Sequence, residues 1–109
     1  MKEFRDVRME LIRPGQLRDA LEARSVVFIP IGAFEFHQEH LPFGLDALNA
    51  HGLTCLAASI HGGVVMPPLY YGTGGSHKNY PWTIMMDEEV EIRALLEKTL
   101  ARLEEFGVE

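Results

Sequence analysis

Only one cysteine, Cys55, occurs in the 109 residues. It has no intramolecular partner for a disulfide, and it lies in an Ala- and Leu-rich stretch. Both points lead to the expectation of a reducing compartment and a buried, unreactive thiol. Basic residues are also scarce: 10 Lys and Arg stand against 16 Asp and Glu, a formal charge of −6. No basic run tracks a phosphate backbone, which argues against a nucleic-acid partner. No apolar run is long enough to span a bilayer, and Met1-Lys2-Glu3-Phe4-Arg5-Asp6 lacks the apolar core of a secretion signal. Gly72, Gly74 and Gly75 form no phosphate cradle, because no Lys-Ser or Lys-Thr pair opens a helix after them. There are no repeats and no low-complexity tract. A soluble, cytoplasmic protein without a membrane partner is expected.

Hydrophobic residues make up 47% of the chain, enough for one compact domain over residues 1–109. Pro14 to Arg24 reads as a helix, with Pro14 at an early position and Leu17, Ala20 and Leu21 at helical spacing. Ser25 to Ile31 is β-branched and apolar on both faces, as a central parallel strand should be. Phe34 to Leu45 contains Pro42 and Gly44 and no clean period, hence a loop. Asp46 to about Ile60 reads as a second helix, with Asp46 as N-cap and Leu48, Leu53, Leu56 and Ala57 as its inward face. Gly62-Gly63 is a turn, and Val64 to Met66 a short strand stopped by Pro67-Pro68. The polar and aromatic loop from Leu69 to Thr83 is too long for a mere connection. Asp87 to Phe106 is a third helix, capped by Asp87, with Ile92, Leu95, Leu96, Leu100 and Leu103 as its apolar stripe and Gly107 at the C′ position.

Helix, strand, helix, strand, helix is the order of an α/β protein with a parallel sheet. Gly107-Val108-Glu109 reads as an exit from a helix into another strand. Two strands make a poor sheet alone, so the expectation is a fragment, or a sheet that a partner completes.

Glu35 and His37 lie two apart just past a buried strand, so extended backbone points both side chains the same way. Loops at the carboxyl ends of parallel strands are where α/β proteins place ligands. Asp46, at the start of the next helix, can fold back toward the same point. Glu, His and Asp form an oxygen–nitrogen donor set that suits Zn²⁺, Mn²⁺ or Fe²⁺. A carboxylate can bridge two such ions, which together activate a water and polarise a carbonyl. Spacing alone leaves two readings open: a metal site, and a hydrogen-bonded structural cluster. His51 and His61 read as structural or solvated, and Glu39 as an exposed loop carboxylate.

Residues 32 to 46, Gly-Ala-Phe-Glu-Phe-His-Gln-Glu-His-Leu-Pro-Phe-Gly-Leu-Asp, resemble the signature of the creatininase (creatinine amidohydrolase) family, roughly G-[ST]-x-E-x-H-G-x-H-L-P-x-x-T-D. Gly32, Glu35, His37, His40, Leu41, Pro42 and Asp46 carry the match with spacing intact. Tyr71-Gly72, Ser76-His77 and Tyr80-Pro81-Trp82-Thr83 resemble the family's Y-G, S-x-H and F-P-G-T segments. The resemblance covers essentially the whole chain, as the N-terminal half of a family member. It implies a three-layer α/β/α sandwich with a mostly parallel sheet, here truncated, and often a homo-hexamer. It implies metal ligands at Glu35 and His37, with Asp46 bridging two divalent ions of Zn, Mn or Fe. It places His40, His77, Tyr71 and Trp82 on the substrate side or behind the ligands. The implied activity is hydrolysis of a cyclic amide or formamide C–N bond in a small molecule through a metal-activated water; a peptide-trimming branch also exists.

The sequence departs from that pattern at Gln38 and Glu39, at Leu45 before Asp46, and at Trp82, where the family has Gly. The family's G-H-G-G-N segment and its later His and Glu ligands have no counterpart within residues 1–109. The isolated chain is therefore expected to bind metal weakly and to hydrolyse nothing. The rival expectation is a non-enzymatic α/β module acting through subunit contacts.

Overall fold

The computed structural model describes residues 6–73, 79–86 and 89–108. The elements are α1 (Pro14–Ala23), β1 (Val27–Phe28), α2 (Leu45–His61), β2 (Val64–Val65) and α3 (Glu89–Glu105), preceded by a 3-10 turn at Met9–Leu11. This is the expected α/β order. Among the described residues, no helix is long and apolar enough to cross a membrane.

β1 and β2 pair in parallel, Val27 with Val64 and Phe28 with Val65. Regular pairing is shorter than the apolar runs suggested, for a chemical reason. Pro67 and Pro68 have no N–H to donate, so the ladder breaks after the Met66 N–H donates to Phe28 O at 2.8 Å. It resumes at Leu69, whose N–H donates to Pro30 O at 2.9 Å while the Gly32 N–H donates to Leu69 O at 2.9 Å. On its other side β2 pairs with the N-terminal segment, where Arg8 bridges Val65. β2 is thus central among the described strands, and Val64 and Val65 are fully buried. Val7, Ala58 and Val65 form the core cluster, with Phe28 and Cys55 packed against it.

α1 starts at Pro14, and the Arg13 N–H before it donates to Gln16 Oε1 at 2.9 Å. α3 ends as its glycine predicted. Gly107 takes φ +89°, the Val108 N–H donates to Leu103 O, and the Gly107 N–H donates to Glu104 O, the two bonds of a Schellman cap. The expected cap at Asp87 lies outside the described residues. Ile92 and Leu103 of the expected stripe are buried, but Leu95 and Leu100 face solvent.

α2 corrects two expectations. It begins one residue early, with Gly44 at the N-cap, so Asp46 sits inside the first turn and caps nothing. Its inward face is made of alanines: Ala47 and Ala58 are fully buried, while Leu48, Leu53 and Leu56 are each more than half exposed. The cause is proximity. A Cβ on Gly32 would fall 2.7 Å from Ala47 Cα and nearer still to Ala47 N and Asp46 C. A helix held that close to a strand end has room beneath it only for small side chains. α2 is apolar around most of its circumference, so composition could not choose between its faces. Cys55, on the inner side, is partly buried beside His51 (Sγ to Nε2 3.5 Å). Its burial pushes the thiol pKa up, with the Arg8 charge opposing.

The accessible surface is 7820 Å², against about 6100 Å² for a compact monomer of this size. The outer leucines of α2 account for part of that excess.

Gly32→Ala should be severe, because the methyl meets backbone and not a movable side chain. We expect a loss of about 3 kcal/mol or more in urea unfolding. A loss below about 1 kcal/mol would show that the strand–helix contact yields.

Candidate metal centre

The chain leaves the β1 ladder at Gly32, bridges Ile84 at Phe34 and continues through Glu35, Phe36 and His37. Alternation splits these residues between two sides. Phe34 stacks on Phe43 with ring centroids 5.5 Å apart, and Phe36 stacks on Tyr80 at 5.0 Å and 6°. Phe36 also meets Phe43 in a tilted contact. Such offset aromatic contacts contribute about 0.5–1.5 kcal/mol each beyond area burial. They hold one side of the segment, and Glu35 and His37 project from the other.

The loop then closes on itself. The Glu35 N–H donates to Phe43 O at 3.3 Å, and the Leu45 N–H donates to Pro42 O at 3.2 Å. This closure, with the Gly32 contact, brings the first turn of α2 beside the segment. His37 Nε2 lies 3.2 Å from Asp46 Oδ2 and 3.8 Å from Glu35 Oε1. One ligand atom from each of the three residues lies within 4.8 Å of the others, and this is the one such group among the described residues. The side chains of Glu35 and His37 are 14% and 18% exposed, and that of Asp46 40%. The trio is therefore screened but reachable.

These distances fit a divalent ion. Donors about 2.0–2.2 Å from one centre stand about 3–3.5 Å apart at tetrahedral or octahedral angles. The His37–Asp46 distance lies within that range and the His37–Glu35 distance is slightly longer. The donor chemistry fits as well, since one imidazole and two carboxylates supply a borderline site with charge to offset a dication. Asp46, in the first turn of α2, also lies where the helix dipole favours a carboxylate.

The other expected site residues do not join the trio. His40 occupies an exposed turn. Tyr71 is exposed and lines an apolar hollow of about 340 Å³ with Phe34, Tyr70 and Ile84. Trp82 is 78% exposed. His77 lies outside the described residues.

Two features were missed. Tyr80-Pro81-Trp82-Thr83 is a β-turn closed by the Thr83 N–H on Tyr80 O at 3.2 Å, with Trp82 at φ +69°. Proline second and a positive φ third is the type II pattern, which normally places Gly or Asn in the third position. The second is the Thr83 hydroxyl, which accepts the Phe36 N–H at 2.9 Å. The Pro81 signal could have found the turn. Nothing local in the sequence announces the hydroxyl contact across 47 positions.

Gln38, at φ +70°, is the second non-glycine residue with positive φ among those described. Gln38 and Trp82 therefore occupy left-handed conformations where the resembled signature has glycine. Each such residue costs about 1–2 kcal/mol relative to a relaxed backbone. Both side chains are exposed, so little packing is lost by removing them. Gln38→Gly and Trp82→Gly should each raise stability by about 1 kcal/mol, after the added unfolded-state entropy of glycine. Thermal or urea unfolding checks this, and a destabilised Trp82→Gly would mean that the indole makes contacts worth more than the strain.

The family model described as Creatininase: Creatinine amidohydrolase matches residues 10–109. The mycofactocin precursor peptide peptidase of Mycolicibacterium smegmatis (strain ATCC 700084 / mc(2)155) is 32% identical over 65 residues, 54% of this chain and 26% of that protein. The protein of the same name from Mycobacterium ulcerans (strain Agy99) is 32% identical over 79 residues, 64% of this chain and 31% of that protein. Among solved structures, a creatinine amidohydrolase (creatininase) superposes with TM-score 0.75 at 22% identity, covering 92% of this chain and 42% of that one. A tryptophan-substituted mutant creatininase gives 0.76 at 23%, covering 91% and 42%. The chain thus spans less than half the length of the relatives it matches, with the fold of their matching part. With the family model matched from residue 10 to residue 109, the chain belongs to the creatininase family.

Proposed function

We propose that this chain is the N-terminal portion of a creatininase-like domain, and that it carries part of the metal centre of an amide C–N hydrolase. The observation that carries the reading is the convergence of Glu35, His37 and Asp46 on one point. In this reading Glu35 and His37 would be metal ligands and Asp46 would be shared between two ions. A pair of Zn, Mn or Fe ions there supplies Lewis acidity and an activated water for attack on an amide carbon. Residues of this chain would do the holding. The aromatic stack holds the Phe34 and Phe36 side chains beside Glu35 and His37, and the Gly32 contact keeps Asp46 opposite them. No residue of this chain is assigned as the proton donor to the leaving nitrogen.

For the substrate, the resemblance of residues 32–46 points to a cyclic amide or formamide. The two curated relatives at 32% identity bear the name of a precursor peptide peptidase, and that supports an open peptide bond instead. We favour the peptide. Assembly as a homo-oligomer belongs to the same proposal, supported by the exposed leucines of α2.

Titration of the chain with Zn²⁺ or Mn²⁺ by calorimetry tests the centre. His37→Ala and Asp46→Asn should each lower affinity at least about tenfold. Binding that is unchanged in both variants would place the ion elsewhere.

Activity is tested on the protein recovered from its native cell. Bound transition metal is expected, with hydrolysis of a peptide amide that chelator abolishes and metal restores. Protein that is free of metal, or hydrolysis indifferent to chelator, would overturn the reading. Cleavage of a cyclic amide in preference to a peptide would overturn the choice of substrate alone.

A further inference from the structure

Phe34 bridges Ile84 in antiparallel register, and the Ile84 N–H donates to Phe34 O at 2.8 Å. A ladder continuing in that register would pair Phe36 with Trp82. It does not continue, because the type II turn carries Trp82 away at positive φ. The Phe36 N–H is left without a backbone acceptor, and the Thr83 side chain supplies one: Oγ1 accepts it at 2.9 Å in a partly buried setting.

That amide belongs to the peptide unit joining Glu35 to Phe36, and Phe36 separates the two ligands. Rotation of this unit would swing the Glu35 carboxylate on one side and the His37 ring on the other. Ligand constellations tolerate about 0.5 Å and 10–20°. The aromatic stack on Phe36 resists displacement of the side chain but leaves the peptide plane free to tilt. The hydrogen bond fixes the plane.

We infer that Thr83 is a positioning residue for the metal ligands, acting through the Phe36 amide to hold Glu35 and His37 in register with Asp46. The inference rests on the metal-site reading above. Thr83 acts through the Phe36 amide, and its hydroxyl is the only part of it the role requires. A valine fills nearly the same volume without the acceptor, and a serine keeps the acceptor without the methyl.

The experiment compares Thr83→Val, Thr83→Ser and His37→Ala in the full chain. The readouts are Mn²⁺ affinity by calorimetry, amide hydrogen exchange at Phe36 in the metal-free protein, and the unfolding midpoint. Thr83→Val should lower metal affinity about tenfold to a hundredfold and speed Phe36 exchange at least about tenfold. Thr83→Ser should return both toward the parent values. Should Thr83→Val fail to fold, Thr83→Ala removes the same acceptor and carries the same expectations. If Thr83→Val lowers the unfolding midpoint but leaves metal affinity at the parent value, Thr83 only stabilises the turn, and the inference fails while the metal site stands. If binding in the parent protein is indifferent to His37→Ala, the metal-site reading fails and takes this inference with it.

Discussion

The backbone of Gly32 meets the backbone of Asp46 and Ala47 with no space for a side chain between them. The rest of the site follows from that contact. It fixes where α2 begins, so Asp46 faces the extended segment that carries Glu35 and His37. It also sets how near α2 lies to the sheet, which decides that alanines pack inward and leucines outward. A wider spacing would bury more apolar area beneath the helix and carry Asp46 away from its partners. The geometry at the donors therefore has a cost in core packing, visible in the small cluster of Val7, Ala58 and Val65.

The extended segment divides its labour by alternation. Odd positions 35 and 37 present donors, and even positions 34 and 36 present phenyl rings to Phe43 and Tyr80. The polar side is thereby backed by an apolar one, and the Thr83 hydroxyl adds the backbone contact that the rings do not supply. Strain gathers at the two ends of this arrangement. Gln38 turns the chain directly after His37, and Trp82 turns it directly before Thr83. Non-glycine residues at such backbone angles persist where surrounding contacts over-determine the conformation, and here those contacts are the aromatic stack and the closed loop.

What the sequence made legible was local. Glu35 and His37 share a side because two residues of extended chain always do, and the helices and their order follow from apolar period and punctuation. Gly107 ends α3 because a glycine there has little else to do. What stayed hidden depended on distance through space. The inward face of α2 could not be read from a helix apolar all round, since the choice was made by proximity to Gly32. Asp46 looked like an N-cap because a carboxylate at a helix start usually is one, yet Gly44 holds that place and the carboxylate turns to His37. The proline pair visibly ended a strand, but the ladder's resumption at Leu69 needs a partner 38 residues earlier. Nothing along the chain singles out Thr83, because a hydroxyl's partner 47 positions away cannot be seen in sequence.

The three donors come from residues 35 to 46, joined by a loop that closes through Glu35 and Phe43. Short closures of this kind form within tens to hundreds of nanoseconds, far ahead of sheet pairing between distant segments. The donors can therefore gather early in folding, as a transient hairpin of strand end and helix start. The clamp from Thr83 arrives only when the chain has returned from much farther along. A nascent polypeptide would thus bring Glu35, His37 and Asp46 together before Thr83 can fix the Phe36 amide. On the proposed metal-site reading, an ion present during synthesis or refolding would meet these groups before they are held still.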